Sequence, residues 1–179
     1  MPTAAEAELL AAPAPVALCG FGLAAAGAGA AHSIALHAPS RVILVGCAGS
    51  YDLGRAPIGS VVVASAVRCH GIGAGELSAA ELGWTESDQI ELDGGDGLVL
   101  SVASASATVE ESANRLSKHP DAVLEDMEGY AVAVAAMLSQ VPLTIVRGVS
   151  NAAGERDKAT WRMPQALAAA GEVVASMVG

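Results

Sequence analysis

Aromatic side chains are almost missing from this 179-residue chain: Phe21, Tyr51, Trp84, Tyr130 and Trp161 are all it has. Any stacking on a flat ligand must come from these few. Positive charge is scarce as well, with 9 Lys and Arg against 19 Asp and Glu, a net charge of −10 and a pI near 4.6. Binding a nucleic-acid backbone or an anionic membrane surface needs clustered Lys and Arg, so both partners are excluded. No Lys or Arg precedes Arg41, so the basic start of a secretory or transit peptide is lacking and a cytoplasmic location is expected. The apolar stretch "LAAPAPVALCGFGLAAAGAGAA" is broken by Pro and Gly and is a poor bilayer span. Cys19, Cys47 and Cys69 are odd in number and have no Cys-x-x-Cys spacing, which argues against a disulfide framework and a zinc site. They read as small buried residues. The pattern calls for no metal or cofactor.

What is present is a set of apolar runs of strand length: "PVALCGFG", "RVILVGCAGSY", "IGSVVVASAV", "GLVLSVASAS", "DAVLEDM" and "LTIVRGVS". Several are continuous rather than alternating, which suits strands covered on both faces. Helical stretches fall between some of them, at Leu23 to His37, Val109 to His119, Gly129 to Gln140 and about Pro164 to Val178. Such alternation predicts an α/β fold: a three-layer αβα sandwich around a twisted mixed β-sheet, in one domain over 1–179. The helix from Gly129 is Ala-rich with no polar face and must be buried on most sides, which favours a homo-oligomer. The long polar, Gly-rich piece "RCHGIGAGELSAAELGWTESDQIELDGGDG" is a candidate cover for a pocket.

Three local patterns are candidates for chemistry. "GFGLAAAG" follows an apolar run and opens a helix, but Ala25 stands where a dinucleotide-binding loop needs its third Gly, so close packing is the better reading. "VGCAGSYD" ends a strand in small residues, with Gly49 a place where backbone could approach a ligand. "IVRGVSNAAGERD" brings Arg147, Ser150, Asn151, Arg156 and Asp157 to a strand end, where open α/β sheets bind ligands. Asn151 can donate and accept; the competing reading is that Asn151 and Asp157 shape a turn. In "LEDMEGYAVAVAAM" three carboxylates precede an apolar helix, where they either offset the helix dipole or turn inward to a ligand.

Taken in order, "AAEAELL", "CGFGLAAAG", "LVGCAGSYD", "IGSVVVAS", "DMEGYAVA", "VPLTIVRGVSN" and "GERDKATWRMPQAL" resemble the nucleoside phosphorylase and nucleosidase superfamily, most of all its futalosine-hydrolysing branch in the menaquinone pathway. The resemblance implies a nucleoside phosphorylase-like fold. It implies that Glu128 grips the ribose hydroxyls and Met127 packs on the sugar, leaving Glu125 and Asp126 as a solvated or dipole-compensating pair. Glu6 falls where that family carries its water-activating acid, with Glu8 as fallback. Asn151 stands where adenine-specific members carry Asp, which points to hypoxanthine as leaving base, with Ser150 beside it and Asp157 a possible helper; Trp161 is a candidate to close the pocket. The implied partner is a small nucleoside, futalosine. Alternatives are a methylthioadenosine or S-adenosylhomocysteine nucleosidase, a purine nucleoside phosphorylase, or a non-catalytic nucleoside-binding subunit. Members begin with a complete strand before the acidic segment, whereas this chain opens Met1-Pro2-Thr3, so that strand is expected to be missing or truncated.

Overall fold

The structure is a computed structural model that describes residues 1–10, 14–85 and 87–179. Its helices are α1 (Ala4–Leu9), α2 (Leu23–His37), α3 (Val109–Lys118), α4 (Gly129–Leu138) and α5 (Met163–Val178). Its strands are β1 (Val42–Ser50), β2 (Val61–Cys69), β3 (Gly73–Ala74), β4 (Leu77–Ser78), β5 (Gln89–Glu91), β6 (Gly97–Ser101), β7 (Ala122–Asp126) and β8 (Leu143–Ala152). The main sheet is mixed and runs β5-β2-β6-β7-β1-β8; β2 also pairs with β8, so five strands close into a ring with β5 attached outside.

The continuous apolar runs have the expected cause. Successive side chains on a strand point to opposite faces, and both faces of β1 and β8 are covered. Leu44 and Ile145 pack with Ala26, Ala30 and Val132 of α2 and α4, while Val45 and Val146 pack with Leu167, Ala170 and Val174 of α5. This gives helix, sheet and helix layers. α2 comes close because it is built of small residues: a Cβ at Gly29 would collide with the Cys19 carbonyl. α2 runs beside α4, and together with the sheet it covers most of the apolar α4 within one chain, leaving Met137 and Leu138 exposed at its end. Pro164 sits in the first turn of α5, where its missing N–H costs nothing.

One expected strand is absent. The run "PVALCGFG" has no strand before Gly22; it makes a single parallel bridge to Met1, whose amino group donates to Ala17 O at 2.9 Å while Cys19 N donates to Met1 O at 2.9 Å. Strand propensity alone does not hold a segment extended without a neighbour to complete its ladder. The polar middle segment is not bare loop either, since it supplies β3, β4 and β5.

Candidate active site

Arg147 lies in the middle of β8 beside Gly46 of β1, and Asp126 at the end of β7, Glu128 before α4 and Glu6 of α1 converge on it. Its guanidinium, carried by β8, is fully buried. Nε and Nη2 donate to Asp126 Oδ2 at 3.0 and 2.6 Å, and Nη2 also reaches Glu128 Oε2 at 3.3 Å. Nη1 meets no acceptor among the described residues. It lies against Gly46 of β1, at a point that a side chain there would occupy; the same Cβ would stand 2.8 Å from Glu6 Oε1. Three carboxylates, Glu6, Asp126 and Glu128, thus surround one cation.

Glu6 enters from α1. Thr3 caps this helix by accepting from Glu6 N at 3.3 Å, and its hydroxyl donates to Glu6 Oε2 at 2.7 Å. Oε1 accepts from Cys47 N at 3.0 Å. The side chain is therefore fixed at both oxygens and buried, whereas Glu8, the fallback, is exposed. The Cys47 thiol beside it is pushed up to about 12 by burial, so it stays a neutral thiol and is no nucleophile.

Glu128 is the residue before α4, but its side chain makes no bond to the helix's own N–H groups. Oε1 instead accepts from Gly22 N at 3.1 Å. Gly22 has a φ of 81°, a conformation that suits glycine, and the "GFG" turn thereby presents an N–H to the site rather than to a dinucleotide. Burial raises the Glu128 pKa above its ordinary value; Arg147 opposes this, and the Asp126 and Glu6 charges reinforce it.

The expectation that Glu125 and Asp126 are solvated is overturned, since both are buried, each 4 % exposed, whereas Asp126 does accept from the first N–H of α4, that of Gly129, at 3.0 Å. They belong to β7, not to the first helical turn, and face opposite ways. Asp126 binds Arg147, accepts from Ser101 Oγ at 2.5 Å and from Gly129 N. Glu125 accepts from Ser106 N and Oγ, Tyr51 Oη and Arg115 Nη1 at 2.6–2.8 Å. A carboxylate can be buried at such places because every oxygen has charged or polar donors.

Asn151 and Ser150 are buried near the end of β8. Ser150 Oγ donates to Asn151 Oδ1 at 2.7 Å, and Asn151 Nδ2 donates to Ala152 O at 2.8 Å. Gly49 is the β1 partner of Asn151 in register, and a Cβ on it would lie 3.5 Å from Nδ2. Met127 is half-buried and packs toward the cluster of Ala66, Leu98, Leu100 and Val102. Two expected site residues are held apart. Asp157 is exposed, and its Oδ1 accepts from Ala159 N in a turn, without contact to Asn151. Trp161 donates through Nε1 to Glu155 O at 3.2 Å and lies under the Arg156 guanidinium, 5.2 Å away. For Asp157 the turn-shaping reading of the loop is the one the contacts match.

Sequence reasoning singled out neither Asp126 nor Gly22 as part of this cluster and gave Arg147 no role. The signal for Arg147 was available: one Arg inside the apolar run "LTIVRGVS" must be paired where it is buried. For Gly22 there was none, because its contact spans 106 residues.

Comparison with known proteins follows the same lines. The model of the Phosphorylase superfamily matches residues 74–179. The futalosine hydrolase of Streptomyces coelicolor is 33% identical over 88% of this chain and 78% of its own length. The 5'-methylthioadenosine/S-adenosylhomocysteine nucleosidase of Maridesulfovibrio salexigens is 30% identical over 75% of this chain and 66% of its own. Among solved structures, the native futalosine hydrolase of Helicobacter pylori superposes with a TM-score of 0.78 over 90% of this chain and 77% of its own, at 18% identity.

Proposed function

The chain belongs to the phosphorylase superfamily, its curated relatives here are N-glycosyl hydrolases, and on that premise we propose that it hydrolyses the N-ribosidic bond of futalosine to release hypoxanthine. The observation that carries the hydrolytic reading is the meeting of Glu6 Oε1 and Arg147 Nη1 over Gly46, with Glu128 held on Nη2 of the same guanidinium.

Cleavage of an N-ribosidic bond passes through a sugar with developing positive charge. The Glu128 carboxylate, held by Arg147 and the Gly22 N–H, supplies a fixed anion for the ribose hydroxyls and for that charge. A water at C1' gives its proton to Glu6, while its oxygen forms the new bond to carbon and the C1'–N9 electron pair leaves with the base. General-base help of this kind is worth about 10²–10⁴ in rate. Asn151 has an N–H beyond the one given to Ala152 O, and it donates to the leaving base as negative charge gathers there. The enzyme then needs no acid at this place, which suits a 6-oxopurine and disfavours adenine.

We propose a cytoplasmic location, and a homo-oligomer because Leu36, Met137 and Leu138 are exposed at one end of the α2 and α4 pair. The test incubates purified protein with futalosine, aminofutalosine, methylthioadenosine and inosine, with and without phosphate, and follows free base by chromatography. Release of hypoxanthine from futalosine independent of phosphate is expected. Adenine release from methylthioadenosine at an equal or higher rate would transfer the chain to the methylthioadenosine nucleosidases, and phosphate dependence to the phosphorylases.

A further inference from the structure

Of the 9 Lys and Arg residues, four are neutralised by carboxylates: Arg68 by Asp121, Arg115 by Glu111 and Glu125, Lys118 by Glu76, and Arg147 by Asp126 and Glu128. The other five form no ion pair among the described residues. Arg41, ahead of β1, donates to Met177 O. The remaining four, Arg55, Arg156, Lys158 and Arg162, all stand in the loops that follow β1 and β8, at 51–60 and 153–162. β1 and β8 are parallel neighbours, so these loops share one end of the sheet, the end at which Asn151 lies. The loops hold three carboxylates too, but each is bound by a turn: Asp52 accepts from Gly54 N at 2.8 Å, Glu155 from Asp157 N at 2.7 Å and Asp157 from Ala159 N at 3.0 Å. The rest of the chain carries 16 carboxylates against five cations. Such a surface repels anions, and the loops beside Asn151 are where the balance of charge turns positive.

Arg156 is held in a fixed pose within this group. Its Nε donates to Glu155 O at 2.9 Å, and its guanidinium lies over the Trp161 ring, 5.2 Å from the centroid. Trp161 Nε1 donates to the same Glu155 O at 3.2 Å, which fixes the ring. Both Nη groups of the exposed Arg156 are left without an acceptor among the described residues. The loop itself is anchored to the site's strand: Glu155 N donates to Ala152 O at 3.1 Å, Ala153 N to Ser50 O at 2.8 Å, and Arg162 N returns to Ser150 O at 2.9 Å. Gly154, with a φ of 88°, lies so close to Thr108 O that a Cβ would stand 2.4 Å from it. Five residues separate Arg156 from Asn151, a span of at most about 18 Å, which the turn at Ala152–Glu155 shortens.

We propose that Arg156 binds a carboxylate at the far end of the substrate, a nucleoside whose base lies at Asn151 and whose sugar carries an arm ending in that group. The assignment rests on the futalosine reading above and deepens it, since futalosine has such an arm. A guanidinium offers two parallel N–H groups to the two oxygens of a carboxylate, a match that a Lys ammonium does not reproduce. The Trp161 ring beneath it holds the fork ready, so less freedom is lost on binding. Trp161, which does not reach Asn151, is then a positioning residue for Arg156. A nucleoside with a neutral arm gains nothing from this cation. Arg156 therefore selects substrates by the arm, and Asn151 by the base.

The test compares futalosine with its carboxamide on the whole chain, on Arg156→Gln and on Arg156→Lys, by kcat/KM and by calorimetric titration. The parent should favour the carboxylate by at least about tenfold, through KM rather than kcat. That ratio should fall to about one in Arg156→Gln, return in part in Arg156→Lys, and shrink with added salt in the parent but not in Arg156→Gln. Equal use of the two compounds by the parent, or an equal fall of both in Arg156→Gln, overturns the proposal and leaves the futalosine reading standing. Hydrolysis of neither defeats that reading, and the titrations then decide this one alone. Binding of the carboxylate at least about tenfold tighter than the carboxamide, lost in Arg156→Gln, upholds the site; equal binding or none overturns it. Stronger competition by inosine 5'-monophosphate than by futalosine, lost in the same variant, overturns the carboxylate in favour of a phosphate.

Discussion

Glu6 and Arg147 meet over a single α-carbon. Gly46 leaves room for the Arg147 Nη1 atom, and a methyl group there would also stand 2.8 Å from Glu6 Oε1. Gly46→Ala should therefore push apart the proposed water-activating base and the cation beside it. A misplacement of about 1 Å in a reacting group costs on the order of 10²-fold. We expect kcat/KM for futalosine to fall by about that factor, with a lower Tm. Unchanged kcat/KM in a folded variant would show that the two side chains need not meet there for turnover.

Glu128→Gln keeps the shape and removes the anion. Its rate should drop by about 10²–10³, the cost of deleting an electrostatic stabiliser, while circular dichroism stays that of the parent. The pH profile tests the same group. Burial raises its folded pKa above the ordinary 4.5. The folded state then holds the proton over a window where the unfolded chain has lost it. Stability from this group is full below 4.5 and is lost as pH rises through the folded pKa. Activity needs the anion and rises over the same window, so the acid limb of kcat/KM should lie above 4.5 and disappear in Glu128→Gln. An acid limb unaltered in the variant would assign it to another group.

The helices were legible because their boundaries are local: α2 matches Leu23 to His37, and α5 begins within a residue of Pro164. β1 and β8 were legible because burial on both faces leaves continuous apolar runs. "PVALCGFG" has the same composition and is not a strand, since a ladder needs a partner beside it and sequence shows only one side of a pair. At the site, Glu6 and Glu128 could be named from pattern and resemblance. Asp126 could not be separated from them, because the step from β7 to α4 falls between Asp126 and Gly129 and decides which carboxylate meets Arg147.

Arg147 should matter to folding as well as to chemistry. Removing one partner of a buried ion pair leaves the other charge without compensation, at a cost of about 3–5 kcal/mol. Arg147→Met should lower the urea midpoint accordingly, since Asp126 and Glu128 both lose their cation. Arg147→Met with Asp126→Asn should recover part of the loss, because fewer buried charges remain unpaired. A stability loss under about 1 kcal/mol in the single variant would mean that the carboxylates are already protonated without Arg147.

Asn151→Asp tests base choice. In the parent, Oδ1 accepts from Ser150 Oγ while Nδ2 donates to Ala152 O. A carboxyl group in the same pose keeps the first bond, but its second oxygen faces a carbonyl. That contact is repulsive for the anion and favourable for the protonated acid, so the site itself favours a proton on this carboxyl. A protonated acid is what a leaving adenine needs at N7; the parent amide can offer a hydrogen bond but no proton. Sites built on such donor patterns reject the mismatched analogue by as much as about 10⁴–10⁵, through buried polar atoms left unpaired. The ratio of kcat/KM for aminofutalosine to that for futalosine should therefore rise in Asn151→Asp by at least about tenfold, even as futalosine turnover falls. Should the parent cleave aminofutalosine or methylthioadenosine as well as futalosine, Asn151 is not what selects the base, and selection must come from groups around the 6-position instead.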